Sequence, residues 1–283
     1  MRLGFFSLLF CAAATVSAQS WAWDDGTTPF VVTPDAVVER MLHLAQPKAG
    51  ERLVDLGSGD GRIVIEAAKR GAKGFGVDID PRLVTLAREN ARRAGVEALA
   101  TFEVKDLFET DLRGVNVVTM YLLPEVNKQL LPRLIDQLKP GARIVSHDYD
   151  LGPWPFDEMI ELPLAEKLVG PMGRSRIFLW VVPADARGRW IAELPEIGGR
   201  WQFDIAQKFQ IVDVDARTGG RQMVVRGARM RGESLHMAVT GLVGAKGYNF
   251  LFRGRIAGSG IEGDLRVSDG ENAKTIPWKA TRQ

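Results

Sequence analysis

Between Thr33 and Pro183 the hydrophobic pattern alternates between two periods, and after "PADARGRW" one of them disappears. The first stretch interleaves the short apolar runs "RLVDLG", "GFGVDI", "LATFEVKD", "VNVVTMYL", "ARIVSHDYD" and "SRIFLWVVP" with the helical segments "TPDAVVERMLHLAQP", "GRIVIEAAKRG", "PRLVTLARENARRAG" and "PEVNKQLLPRLIDQLK". Thr33 is placed to cap the first helix with Pro34 at its first position, and Asp80-Pro81 repeats that signal for the third. Strands that are apolar on both faces, alternating with helices, predict a parallel sheet covered on both sides, a doubly wound α/β fold. The later stretch reads "WQFDIA", "QIVDVDA", "RQMVVRGA", "SLHMAVTG", "YNFLFRGRIAG" and "IEGDLRV", alternating runs broken by glycine. Tyr248, Phe250 and Phe252 share one face there, and Asn249 and Arg253 the other. This predicts a small all-β antiparallel domain, a sheet or small barrel. The expected division is an α/β domain over 28–183 and a β domain over 190–283.

Charge marks the same change. The whole chain carries a net +2, too little to argue for nucleic acid or an anionic membrane as partner. From Arg189 onward, however, 15 Lys/Arg stand against 10 Asp/Glu. Arg226, Arg229 and Arg231 straddle both faces of a strand that Gly227 is expected to bulge, and they read as a solvated edge that resists strand pairing. The N-terminus, "MRLGFFSLLFCAAATVSAQS", has one arginine, a short apolar run and the small-x-small site Val16-Ser17-Ala18. These predict an export signal over residues 1–18. Cys11 is the single cysteine, so disulfide and cysteine-metal chemistry are absent from the chain beyond it. His43, His147 and His236 are too scattered for a metal cluster.

The first strand ends in "LVDLGSGDGR", where a doubly wound fold binds its ligand. Gly57, Gly59 and Gly61 let the backbone approach that ligand and take positive φ. A dinucleotide site has the spacing Gly-x-Gly-x-x-Gly, to seat its pyrophosphate on the helix N-terminus. Here the spacing is Gly-x-Gly-x-Gly, and the flanking Asp55 and Asp60 would repel a pyrophosphate. They suit a ligand with a cationic amino-acid end, such as S-adenosylmethionine (AdoMet). Asp78, followed by Ile79, ends the second strand, where a carboxylate takes ribose hydroxyls. Asp106 ends the third strand and can accept from an adenine amino group, with Leu107 offering an amide and an apolar wall. Asp80, just before Pro81, is assigned to helix capping.

"VDLGSGDG", "GVDID" and "KDLF" together resemble the class I AdoMet-dependent methyltransferases, whose fold is Rossmann-like. "FVVTPDAVVERML", "LVDLGSGDGRIVIEAAKRGA", "VVTMYLLPEVNKQLLPRL" and "LKPGARIVSHDYDLGPWP" narrow this to a resemblance with the protein-lysine methyltransferases that include the mitochondrial enzyme acting on the c-ring protein of ATP synthase. The resemblance covers about residues 28–182 and implies a methyl transferred to a lysine of a protein substrate. The region from Trp190 onward has no counterpart in that mitochondrial enzyme.

Methyl transfer from a sulfonium needs an aligned nucleophile and a dry site. A lysine acceptor must first lose its proton, and burial next to a sulfonium lowers its affinity for that proton. Tyr121, Asp148 and His147, which follow the fourth and fifth strands, are the candidates to line the acceptor site. Tyr121 could hydrogen-bond the amine, Asp148 could attract the cationic lysine, and His147 reads more readily as structural. Glu125 and Asn127 are assigned to capping the following helix. "YLLP" departs from the Asn-Pro-Pro-Tyr pattern of adenine and glutamine methylation. A competing expectation makes the β domain the functional part, with the α/β domain its scaffold. Export also conflicts with a cofactor made in the cytoplasm. The conflict is resolved by a misread signal, by loading before export, or by action at the inner membrane face on a membrane-associated substrate.

Overall fold

A computed structural model describes residues 30–164, 167 and 170–283; the predicted export signal and its cleavage site lie outside them. The first helix, α1 (Asp35–Ala45), is followed by β1 (Arg52–Leu56), α2 (Arg62–Lys69), β2 (Lys73–Asp78), α3 (Pro81–Arg93), β3 (Ala100–Val104), β4 (Val117–Met120), α4 (Pro124–Gln137) and β5 (Arg143–His147). Two further strands, β6 (Glu158–Pro163) and β7 (Arg174–Val181), complete a seven-stranded sheet of order β3-β2-β1-β4-β5-β7-β6. β1 to β5 are parallel as expected, but β7 runs antiparallel to β5, and β6 antiparallel to β7. The sheet is therefore mixed rather than parallel throughout.

Residues of the central strands alternate between two cores. Val117, Val145, Ile177 and Leu179 pack with α1, α2 and α3 on one face. Val118, Ile144, Phe178 and Trp180 pack with α4 and Trp154 on the other. Burial on both faces is why these strands read as unbroken apolar runs. The order reverses between β1 and β4, and the carboxyl ends of these strands at such a switch point are where folds of this kind form their ligand crevice.

Beyond Arg187 eight strands close into an antiparallel barrel: β8 (Gly188–Leu194), β9 (Gly199–Lys208), β10 (Ile211–Thr218), β11 (Arg221–Arg231), β12 (Ser234–Val243), β13 (Lys246–Ala257), β14 (Gly260–Ser268) and β15 (Ala273–Arg282). Trp190, Trp201, Trp278, Phe203, Phe250 and Phe252 fill its interior, none more than 1% exposed. An eight-stranded barrel is just wide enough to be filled by its own side chains. This core leaves the competing expectation of a ligand-binding β domain without support. The register of β11 shifts between Val225 and Gly227, the predicted bulge. β10 meets β11 only at Arg221 to Met223, so the stretch carrying Arg226, Arg229 and Arg231 is paired to β12 alone, exposed and open on its other side, in agreement with the solvated edge expected for them.

The barrel packs directly on the α/β region. Trp154 stacks on Phe209 with ring centroids 5.5 Å apart and donates from Nε1 to Gln210 at 2.8 Å. The amide of Ala184 donates to the Gly232 carbonyl at 2.8 Å, and Arg231 pairs with Glu158.

Candidate active site

β1 carries Asp55 to the switch point and the chain then turns sharply through Gly57, Gly59 and Gly61, which have φ of +81°, +54° and +82°. A side chain at Gly61 would be strained by that φ, and its Cβ would lie 2.6 Å from the Phe102 ring. The turn thus holds the N-terminus of α2 tight against the sheet. Asp55 is only 2% exposed and accepts a 2.7 Å hydrogen bond from the Thr119 hydroxyl of the adjacent β4. Burial pushes its carboxyl up to about 7 against the pull of that bond, and the charges of Asp78 and Asp60 push it the same way.

Asp60 is not the free carboxylate that its sequence position suggested. Arg62 forms a bidentate pair with it, Nε and Nη2 donating at 3.0 and 2.6 Å. Asp78 sits at the end of β2, where one carboxylate oxygen accepts from the amide of Gly59 at 2.8 Å and the other from the amide of Asp80 at 3.0 Å. It thereby ties the glycine turn to the second strand. Ile79 beside it is 66% exposed, an apolar side chain left open at the strand end. Asp80 caps α3 by accepting from the amide of Arg82, the role read from its place before Pro81. Asp106 follows β3 and caps the one-turn helix Leu107–Glu109, accepting from the amide of Phe108 at 2.8 Å.

A cationic ligand fits this end of the crevice. Asp55, buried, faces the charges of Asp78 and Asp60 with a carboxyl that resists ionisation. The hydroxyl of Ser58, within the glycine turn, is buried without a hydrogen-bond partner among the described residues. Gly57 packs its backbone directly against Leu122, whose Cδ2 would be only 3.0 Å from an added Cβ.

The other end of the crevice is built by the chain after β4 and β5. Tyr121 lies against the ring of His147, centroids 3.9 Å apart, and its buried hydroxyl is directed toward Asp148 without a hydrogen bond of full geometry among the described residues. Burial and the charge of Asp148 raise this phenol above its ordinary value, so it stays protonated. His147 is fully buried. Its Nε2 meets Ser175 Oγ at 2.9 Å and its Nδ1 meets Thr33 Oγ1 at 3.4 Å. Burial holds its imidazole down at about 4, so it is neutral at physiological pH. With both nitrogens engaged, His147 fits the structural reading, as a support for the Tyr121 ring.

Asp148 is 1% exposed and adopts φ +63°, the left-handed region that costs a non-glycine residue about 1 kcal/mol or more. Its carboxylate is already engaged: one oxygen accepts from the amide of Arg176 at 3.1 Å, and the other from the ammonium of Lys167. A free carboxylate waiting for a substrate, as the sequence suggested, is not what the fold presents. Asn127, expected to cap α4, is fully buried and instead donates to the carbonyls of Tyr149 and Asp150 at 3.3 and 3.1 Å. It fixes the loop that carries Asp148. Thr33 likewise makes no cap. Pro34 occupies the cap position of α1 without a side-chain bond, and the Thr33 carbonyl accepts from Arg62 Nη1 at 2.8 Å.

Lys167, Ser175, Arg176 and Asn127 are the site neighbours that sequence reasoning missed. Ser175 and Arg176 arrive on β7 and Lys167 from the connection before it, and no local motif announces them.

Residues 55–158 match the family described as the ANTKMT methyltransferase domain. The chain is 41% identical over 136 residues to a protein-lysine N-methyltransferase of Saccharolobus islandicus, spanning 47% of this chain and 84% of that protein. It is 40% identical over 127 residues to the mouse adenine nucleotide translocase lysine N-methyltransferase, covering 44% of this chain and 55% of the mouse enzyme. A second mouse lysine N-methyltransferase, named for the c-ring protein of ATP synthase, is 36% identical over 129 residues, 46% of this chain and 52% of that one. The chain thus spans about half the length of the two mouse enzymes. Among solved structures, an RNA methyltransferase from Salinibacter ruber in complex with S-adenosylhomocysteine aligns with a TM-score of 0.50 and 47% identity, over 55% of this chain and 95% of that one. A carboxylate-rich switch point suited to a cationic ligand, and relatives matched over most of a lysine methyltransferase, lead to one conclusion: the chain belongs to the protein-lysine N-methyltransferase family and is an AdoMet-dependent methyltransferase.

Proposed function

We propose that the protein methylates the ε-amine of a lysine on a protein substrate. The observation that carries the lysine part is the 41% identity to a protein-lysine N-methyltransferase over 84% of that enzyme's length. The names of the two mouse relatives support the same substrate class.

In this reading Asp55 and the turn Gly57, Gly59 and Gly61 hold the amino-acid end of AdoMet, Asp78 the ribose, and Ile79, Asp106 and Leu107 the adenine. AdoMet when bound supplies an electrophilic methyl on a sulfonium. The chain's own part is to align the acceptor and exclude water. Tyr121 accepts an N–H of the incoming amine through its hydroxyl oxygen, turning the nitrogen lone pair into the cleft. His147 keeps that ring in place. The fold division 28–183 and 190–283 assigns all of these residues to the first part.

The hydroxyl of Tyr121 gives a direct test. One neutral hydrogen bond is worth about 0.5–1.5 kcal/mol, so Tyr121→Phe is expected to lower kcat about threefold to tenfold and leave the AdoMet Kd unchanged. A change confined to AdoMet affinity would move Tyr121 to the cofactor side. The substrate class is tested by incubating the purified protein and labelled AdoMet with protein and RNA fractions of a deletion strain, membrane and soluble fractions kept separate. Label on lysines of a protein is the expected result. Label on RNA alone, the substrate named for the Salinibacter ruber relative, would overturn it. Label confined to the membrane fraction would support the membrane-associated substrate.

A further inference from the structure

One lysine of this chain already occupies an acceptor-like position. Lys167 lies between β6 and β7, yet its side chain is 7% exposed and its ammonium is directed inward. All three of its hydrogens have acceptors: Asp148 Oδ2, Ser175 Oγ at 2.9 Å and the Arg174 carbonyl at 3.0 Å. On a structural view this is a buried ion pair that fastens the β6–β7 connection. Such a pair is weak evidence for stability, because desolvating both charges offsets much of their attraction.

The surroundings of the pair are those of the site. Ser175 Oγ bridges Lys167 and His147, and the His147 ring lies on Tyr121, whose hydroxyl makes no hydrogen bond of full geometry among the described residues. Tyr121 leads into Leu122, the residue that the glycine turn approaches at Gly57. Thr33 joins the same two regions from another side, by its carbonyl to Arg62 and its hydroxyl to His147. Gly170, with φ +78°, lies so close over the carboxylate that an added Cβ would be 2.7 Å from Asp148 Oδ2. No side chain there separates Lys167 from Asp148.

We propose that Lys167 is a methyl acceptor of its own enzyme, modified in cis from the position it holds against Asp148, Ser175 and the Arg174 carbonyl. The proposal rests on the lysine-methyltransferase reading above and identifies one lysine it acts on. In the step, the Lys167 ammonium passes a proton to Asp148 and on to solvent. The freed pair first faces Asp148, so the amine turns out of its three contacts toward the methyl carbon, and the N–C bond forms as the C–S bond breaks, whose electrons remain on sulfur. The products are N-methyl-Lys167, S-adenosylhomocysteine and one proton. Each methyl replaces a hydrogen that now bonds Asp148, Ser175 or the Arg174 carbonyl, so modification weakens the grip on this lysine.

Two measurements test it. Purified full-length protein is incubated with labelled AdoMet at several protein concentrations and mapped by peptide mass spectrometry. The expected result is methyl mass on Lys167, appearing at a fractional rate independent of protein concentration and absent from the Lys167→Arg protein. Methyl transfer to other proteins with Lys167 unmodified would overturn the inference and leave the enzyme reading intact. A rate proportional to protein concentration would overturn its cis character. No transfer to any protein, with AdoMet bound in calorimetry, would remove both.

The second measurement needs no cofactor. Lys167→Ala vacates the ammonium position, and n-butylammonium is expected to bind and raise the thermal midpoint of this protein but not of the wild type. An equal response of the two proteins would show that the three acceptors do not form an ammonium site, which also overturns the proposal.

Discussion

Asp55→Asn is expected to weaken AdoMet binding about 10- to 100-fold, the range for losing a buried hydrogen bond to a charged group of about 1.5–3 kcal/mol. The same substitution is expected to stabilise the ligand-free protein above pH 7. The carboxyl of Asp55 titrates near 7 in the fold against an ordinary value of 3.8, chiefly because it is buried. Between those values the folded chain holds a proton that the unfolded chain has lost. The contribution to stability is therefore complete below about pH 4 and is lost as pH rises through 7. An asparagine has no charge to bury, so the Asp55→Asn protein lacks this decline. AdoMet binding runs the other way. A cationic ligand selects the ionised carboxylate, so wild-type affinity should rise as pH climbs toward 7 and level off above it. The variant should show no such rise. Calorimetric titration from pH 5.5 to 8.5, with unfolding measured on the free protein, reads both effects. Unchanged affinity in the variant would take Asp55 out of the cofactor site.

The second large effect concerns the barrel. Trp201 is fully buried, meets Phe250 and Phe252 edge-on at centroid distances of 4.8 and 5.4 Å, and donates from Nε1 to the Ile197 carbonyl at 2.9 Å. Trp201→Ala empties the middle of an aromatic cluster and orphans that carbonyl, at a cost of about 3–5 kcal/mol. For a chain of this size that lowers the thermal midpoint by roughly 10 °C. AdoMet affinity measured well below the midpoint should be unchanged, since none of the proposed cofactor residues lies in the barrel. A loss of stability under about 1 kcal/mol would mean that neighbouring side chains refill the space. A loss of AdoMet binding in the folded variant would mean that the barrel shapes the cleft across its contact with Trp154.

Legibility in the sequence followed the distance over which each feature is encoded. The strand-end placement of Asp55, Asp78 and Asp106 could be read because each sits beside its own turn, and the turn chemistry is local. The positive φ of Gly57, Gly59 and Gly61 was legible for the same reason. Asp60 and Thr33 misled because a sequence shows which acceptors are available, not which partner arrives. Arg62 claims the first, and His147 the second. Asp148 was read as an open carboxylate since its partners come from residues 19 to 28 positions away, delivered by an antiparallel strand. That strand's mate, β6, went unseen because an edge strand with four of its six residues exposed and none buried has little apolar pattern. In the barrel, β8 lies in what reads as a linker, and β15 contains Pro277, which argues against a strand. Closure of the barrel depended on those two.

Thr33 has a consequence for how the enzyme can be tuned. One residue contacts the guanidinium beside the glycine turn and the imidazole beneath Tyr121. Any displacement of this residue moves the cofactor wall and the acceptor wall by the same vector. Under the proposed assignment of the two sites, a substitution at residue 33 is expected to shift the KM for the methyl donor and the KM for the acceptor together, in one stroke.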